Sequence, residues 1–140
     1  MSEGATYRIL SYERLGEIDR GTGVKTRLLV HKGLGSQHLT NGVTRFEPGA
    51  GIALHFHNCD ESVVIVEGEA VAEVDGERHA MKPFDTTFVP AGVPHRFLNE
   101  SDQPMAILWT YAASHVTRTF VETGVTVEHM SEADRAVAPR

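Results

Sequence analysis

The stretch that most constrains the fold is His55-Phe56-His57-Asn58-Cys59-Asp60-Glu61, which runs into the apolar segment Ser62-Val63-Val64-Ile65-Val66. Side chains alternate along an extended strand, so His55 and His57 aim into one space. Glu61 keeps their parity if residues 58–60 stay extended, and a turn there also brings it back toward them. Neutral imidazole with carboxylate suits a divalent transition metal, and two His with one carboxylate leave positions open for water or substrate. A fourth candidate donor, His95, lies in Pro90-Ala91-Gly92-Val93-Pro94-His95-Arg96-Phe97-Leu98-Asn99.

The segments around these residues read as short strands and turns. Residues 7–10 are expected as a short edge strand, and residues 24–31 as the first full strand, β-branched and aliphatic. Residues 33–36 break it, and residues 39–47 resume. Pro48-Gly49 suits a type II turn, because Gly accepts positive φ. Residues 61–67 form a strand apolar on both faces. Such a strand is covered on both, here by an N-terminal strand or a second copy of the chain. Asp75-Gly76 is a two-residue hairpin signal. Strands are expected at 86–90, 95–99 and 105–111, with a last strand or hairpin over 116–127. Ser131-Glu132-Ala133-Asp134 resembles a capping box and predicts a short C-terminal helical turn. The tail after Val137 is expected to be loose.

With 140 residues, 13 Gly and 6 Pro, this pattern predicts one all-β domain with a real core. The net charge of −6 argues against nucleic acid or an anionic membrane as partner. No apolar run approaches the roughly 20 residues of a membrane helix. Residues 1–4 carry no basic segment leading into an apolar one. The single cysteine, Cys59, fits a reducing compartment. Together these give the expectation of a soluble cytoplasmic protein.

Two longer patterns carry a family resemblance. G-x5-H-x-H-x3-E-x6-G is met at Gly49, His55, His57, Glu61 and Gly68. G-x5-P-x-G-x2-H-x3-N is met at Pro90, Gly92, His95 and Asn99, with Phe84 where the opening Gly would fall. The chain thus resembles the cupins, small metal-binding double-stranded β-helix barrels of jelly-roll type. The resemblance covers about residues 40–112, flanked by N-terminal strands over 5–35 and a C-terminal strand and tail over 113–140. It implies His55, His57, Glu61 and His95 as four ligands to one divalent transition metal: Mn, Fe, Ni, Zn, Co or Cu. It also implies a homodimer and a small-molecule substrate or ligand.

Other residues compete for roles. Asp60 rivals Glu61 as the carboxylate, and the spacing favours Glu61. Cys59 reads as a small residue in a turn, with no neighbouring cation to lower its pKa. Arg27 and Arg45 lie on strands that can line a cavity, although each alone is more commonly a solvated outward residue. Phe97, Met105, Ile107, Trp109 and Tyr111 are candidates for the pocket wall. His31, His38, His79, His115 and His129 receive no function. The reading is a metal-dependent enzyme acting on a small organic molecule, by dioxygenase-type or isomerase/lyase-type chemistry. No further acid–base group is spaced to choose between them. The alternative is a non-catalytic metal- or small-molecule-binding barrel. Residues 113–140 do not resemble a helix-turn-helix, which disfavours a DNA-bound sensor.

Overall fold

The computed structural model describes residues 7–137. Its strands, in chain order, are β1 (Glu17–Gly21), β2 (Val24–Leu28), β3 (Thr40–Phe46), β4 (His55–His57), β5 (Glu61–Glu67), β6 (Ala70–Val74), β7 (Glu77–Met81), β8 (Thr86–Val89), β9 (His95–Leu98), β10 (Met105–Tyr111), β11 (Thr117–Phe120) and β12 (Thr126–Glu128). They make two six-stranded antiparallel sheets, ordered β1-β2-β3-β10-β5-β8 and β12-β11-β4-β9-β6-β7. The two sheets form the expected all-β jelly roll. Among the described residues, no helix is long and apolar enough to cross a membrane.

The alternation read from the sequence decides which side chains fill the interior. In β10, Met105, Ile107, Trp109 and Tyr111 are all buried. In β5, Glu61, Val63 and Ile65 point inward. One end of the barrel is filled by Phe46, Ile65 and Met105, an apolar core. The other end carries the polar groups described below. Trp109 stands opposite Gly42 across β10 and β3. A Cβ at position 42 would lie 2.4 Å from the indole and 2.8 Å from the Arg27 carbonyl. Only glycine lets the ring lie flat over that strand.

The turns follow their residues. Gly49 has φ 82° and the Ala50 N–H donates to the Glu47 carbonyl, 2.9 Å, as a type II turn requires. Asp75 and Gly76 both have positive φ, 49° and 84°, the signature of a type I′ hairpin. The Asn99 amide donates to the carbonyls of Phe46, Glu47 and Gln103, so it ties the turn after β9 to the end of β3.

Several expectations need correction. Residues 7–10 form no strand. The N-terminal strand is instead β1, which pairs with β2 through a turn at Thr22 and Gly23. The mixed polar sequence Glu17-Ile18-Asp19-Arg20 concealed it. The strand expected over 24–31 stops at Leu28, where His31 turns its Nδ1 to accept the Gly33 N–H and start a 3-10 turn. Among the described residues no N-terminal strand covers the outer face of β5, because β1 and β2 extend the same sheet beyond β3. No helix is formed after Ser131 among the described residues; the Asp134 N–H closes one turn on the Ser131 carbonyl, 3.0 Å, and the chain leaves it there. The Ser131 hydroxyl donates back to the Glu128 carbonyl, and the Asp134 carboxylate is drawn inward to two guanidiniums. The backbone then bridges to the barrel, Ala136 N–H to the Arg20 carbonyl and Ala53 N–H to the Ala136 carbonyl. The expectations for residues 1–4 and for the tail past Val137 fall outside the described residues.

Candidate metal centre

β4 and β9 are neighbours with His55 opposite His95. β5 brings Glu61 from the facing sheet. Ring centroids lie 4.8 Å apart for His55 and His57, 4.5 Å for His55 and His95, and 5.4 Å for His57 and His95. Each Nδ1 meets a backbone carbonyl: His55 to Ala53 at 2.7 Å, His57 to Thr117 at 3.0 Å, His95 to Val93 at 2.9 Å. A carbonyl oxygen only accepts, so each Nδ1 carries the proton and each Nε2 presents a lone pair. The backbone thereby fixes tautomer and ring direction at all three positions. The candidate donor atoms of the three histidines lie within 4.8 Å of one another.

Glu61, 3% exposed, adjoins the three-histidine cluster through His57 and His95. Its Oε1 is 3.0 Å from His95 Nε2 and its Oε2 is 3.3 Å from His57 Nε2. Burial pushes His55 and His57 down, toward the neutral form, and the Arg118 charge adds to it. With Nδ1–H committed to a carbonyl, a neutral ring at His57 or His95 confronts the carboxylate lone pair to lone pair. His57 Nε2, His95 Nε2 and Glu61 Oε1 accordingly have no hydrogen-bond partner among the described residues. Buried donors in that state are costly unless something electropositive sits between them. A cation fits this set, since three imidazole nitrogens and a carboxylate oxygen suit a first-row divalent metal.

The cluster faces an inner cavity of about 20 Å³, room for one water or ion. Phe97, Ile107, Trp109 and Tyr111 line it, as expected for the wall. Met105 does not and packs deeper. The wall also contains three residues that received no role from the sequence: Arg20, Arg118 and His129. Arg20 Nη2 and Arg118 Nε lie 2.9 and 3.1 Å from the same Asp134 Oδ1. Arg20 also donates to Thr26 Oγ1, which pairs with Thr44 Oγ1, which accepts from the Trp109 indole. His129 stands edge-on to Trp109 and Tyr111, 5.0 Å from each. It lines both the inner cavity and an outer cleft beside Leu28, His31 and Val116.

The structure thus brings His55, His57, Glu61 and His95 together. Asp60 turns away and accepts the Ala91 N–H. Cys59 is buried, and burial with the Glu61 and Asp60 charges pushes its thiol up to about 11. Arg27 and Arg45 both point outward. Arg27 stacks on the Tyr12 ring, and Arg45 pairs with Glu67 on the surface. His38, His79 and His115 are exposed. The two guanidiniums of the cavity were hard to foresee. Arg20 adjoined an apparent turn, and Arg118 sat in a Thr-Arg-Thr run where parity alone did not say which face was inner. The usable signal was that Thr117-Arg118-Thr119-Phe120 alternates, with Phe120 needing burial.

Residues 42–111 match the family model described as a cupin domain, half of the chain. Over 85 residues, 60% of this chain, it is 31% identical to polyketide synthase CurC of Streptomyces cyaneus, covering 54% of that protein. Over 73 residues, 51% of this chain, it is 36% identical to 5-nitrosalicylic acid 1,2-dioxygenase of Bradyrhizobium sp, covering 35% of it. The chain therefore spans about half or less of the length of these relatives. Among solved structures, an RmlC-like cupin from Shewanella frigidimarina NCIMB 400 superposes with a TM-score of 0.69 at 24% identity, over 77% of this chain and 92% of that one. That likeness concerns the fold.

Proposed function

The chain belongs to the cupin domain family, and from that premise we propose that it is a metal-dependent enzyme acting on a small oxygenated organic molecule. The reading rests on one observation. Three Nδ1–H groups are pinned to backbone carbonyls, so that three Nε2 lone pairs are brought together, two of them, on His57 and His95, beside the buried Glu61 carboxylate and without a hydrogen-bond partner among the described residues. His55, His57, His95 and Glu61 would hold one divalent ion, and the donor set accepts Mn, Fe, Co, Ni, Cu or Zn. Such an ion, when bound, polarises a carbonyl or enol and, where it is redox-active, supports dioxygen chemistry. The relatives named for polyketide synthesis and for dioxygenation support both isomerase/lyase-type and dioxygenase-type reactions. The chain's own part is to exclude water with Phe97, Ile107 and Trp109 and to offer a protonated phenol. Burial and the Glu61 charge hold Tyr111 well above the usual phenol range.

The test is elemental analysis of the purified protein beside His55→Ala, with oxygen uptake and product analysis on catechols, diketones and keto acids. About one metal per chain, lost in the variant, together with turnover is the expected result. Equal metal in both proteins overturns the ligand assignment. The small inner cavity favours a second reading, a non-catalytic metal-binding barrel; metal retention without turnover of any substrate class supports that one.

A homodimer accompanies the proposal. The outer face of β5 and β8 leaves Val66 39% and Phe88 68% exposed, and a second copy would cover it. Sedimentation of wild type and Phe88→Glu is the check: a dimer that becomes a monomer supports the interface, and a wild-type monomer refutes it. The free buried Cys59 supports a reducing compartment such as the cytoplasm.

A further inference from the structure

We infer that Arg118 is an anion-binding residue of the inner cavity, so that the cavity takes a carboxylate or equivalent oxyanion small enough for its about 20 Å³ beside the metal centre. The inference deepens the proposed function and rests on that reading for the metal centre beside it. Arg118 stands opposite His57 in the register of β11 and β4. Register partners project side by side from one face of a sheet, so the guanidinium enters the space the imidazole faces. It lines the same cavity as His55, Glu61 and His95.

Two features say that this guanidinium lacks a full complement of partners. Arg118 is 4% exposed, yet its Nη1 has no hydrogen-bond partner among the described residues. Its Nε reaches Asp134 Oδ1 at 3.1 Å, but the same oxygen also serves Arg20 at 2.9 Å. One carboxylate is shared by two guanidiniums, which leaves one positive charge in excess. The remaining acid of the cavity, Glu61, has its two oxygens turned to His57 and His95. Arg20 donates from Nε to the Asp134 carbonyl and from Nη1 to Thr26, with its Nη2 on the Asp134 ion pair alone, whereas Arg118 Nε and Nη1 both lack a hydrogen bond among the described residues. Arg118 is therefore the cation with capacity to spare. A buried cation without a counter-charge is expensive, and a planar guanidinium is shaped for a carboxylate. Arg20 and Asp134 act as positioning residues, holding Arg118 against the wall through its Nε edge and leaving the Nη1 edge for the ligand.

Formate and formamide are close in size and differ in charge, so they serve as probes. Both are titrated calorimetrically into full-length wild type, Arg118→Met and Arg118→Lys, with metal content measured on each sample and thermal melts confirming the fold. The expected result is formate binding about tenfold or more tighter than formamide in wild type. Arg118→Met should remove that preference at unchanged metal content, and Arg118→Lys should restore part of it. Equal binding of the two probes to wild type, no formate binding at all, or a preference that survives in a folded Arg118→Met each overturns the assignment. The wild-type comparison decides without any variant if neither folds. A wild type that prefers formate yet holds no histidine-dependent metal retains the Arg118 assignment and refutes the metal reading, so the two failures are separable.

Discussion

Phe84 donates its backbone N–H to the Ile65 carbonyl at 2.7 Å while its own φ is 74°. The bond ties the turn before β8 to β5, the strand that begins with Glu61. A left-handed backbone is where the family pattern would have glycine, and a side chain with a Cβ is strained there. The ring gives little in return, being 80% exposed. Phe84→Gly is predicted to stabilise the protein by about 1 kcal/mol. A higher urea midpoint at unchanged slope is the measurement; a lower midpoint would show that the ring packs on something after all.

Gly42→Ala should act in the opposite direction. The added methyl meets the Trp109 ring and the Arg27 carbonyl, and the carbonyl belongs to a paired strand. Overpacking of this kind costs about 1–3 kcal/mol. Equilibrium unfolding followed by circular dichroism reads the loss, and the variant should also lose metal affinity as the indole is driven toward the cavity.

Asp134 predicts an acid limb. Burial pushes its carboxyl up, but Arg118 and Arg20 outweigh that and hold it below the ordinary value. The folded state thus binds this proton less readily than the unfolded chain, whose carboxyl titrates near 4. The stabilisation is complete above about pH 4 and is lost as pH falls through the lower folded value. Asp134→Asn should cost about 3 kcal/mol at pH 7 and flatten the fall in melting temperature below about pH 4.

Cys59 should be slow to alkylate. Its thiol is raised to about 11, so at pH 8 few molecules carry the thiolate. Reaction with a chromogenic disulfide should be at least about tenfold slower than in urea-unfolded protein. The unfolded thiol, with an ordinary pKa near 8.5, ionises first, so stability should decline from about pH 9 toward pH 11.

Metal removal tests the centre without a substrate. Ligand bound only to the folded state stabilises by about 2.7 kcal/mol at a hundredfold excess over Kd. Zinc added to chelator-stripped wild type should therefore raise the melting temperature, while His57→Ala and Glu61→Gln should respond weakly. An identical rise in all three proteins would mean that the ion binds elsewhere.

The four clustered side chains were legible because strand alternation and fixed spacing act locally. His55 and His57 share a face by parity alone, and Glu61 opens the next strand. The turns at Gly49 and Asp75-Gly76 were legible for the same reason. What the sequence hid depends on pairing across distance. β1 reads as polar because it is an edge strand, and Arg20 turns inward only because Asp134, 114 residues on, is there to meet it. Arg27 and Arg45, plausible cavity residues by strand position, face out because β2 and β3 present their alternate residues, Thr26 and Thr44, to the interior.

The stack of aromatic rings at the wall makes the protein its own optical probe. The chain has one tryptophan, and Trp109 lies 4.9 Å from Tyr111, which lies 4.5 Å from His57. Emission from that single indole originates two rings away from the histidine cluster. Loading with a paramagnetic ion should darken it, and zinc should leave it bright, so the occupancy of the centre can be followed in a cuvette without any label.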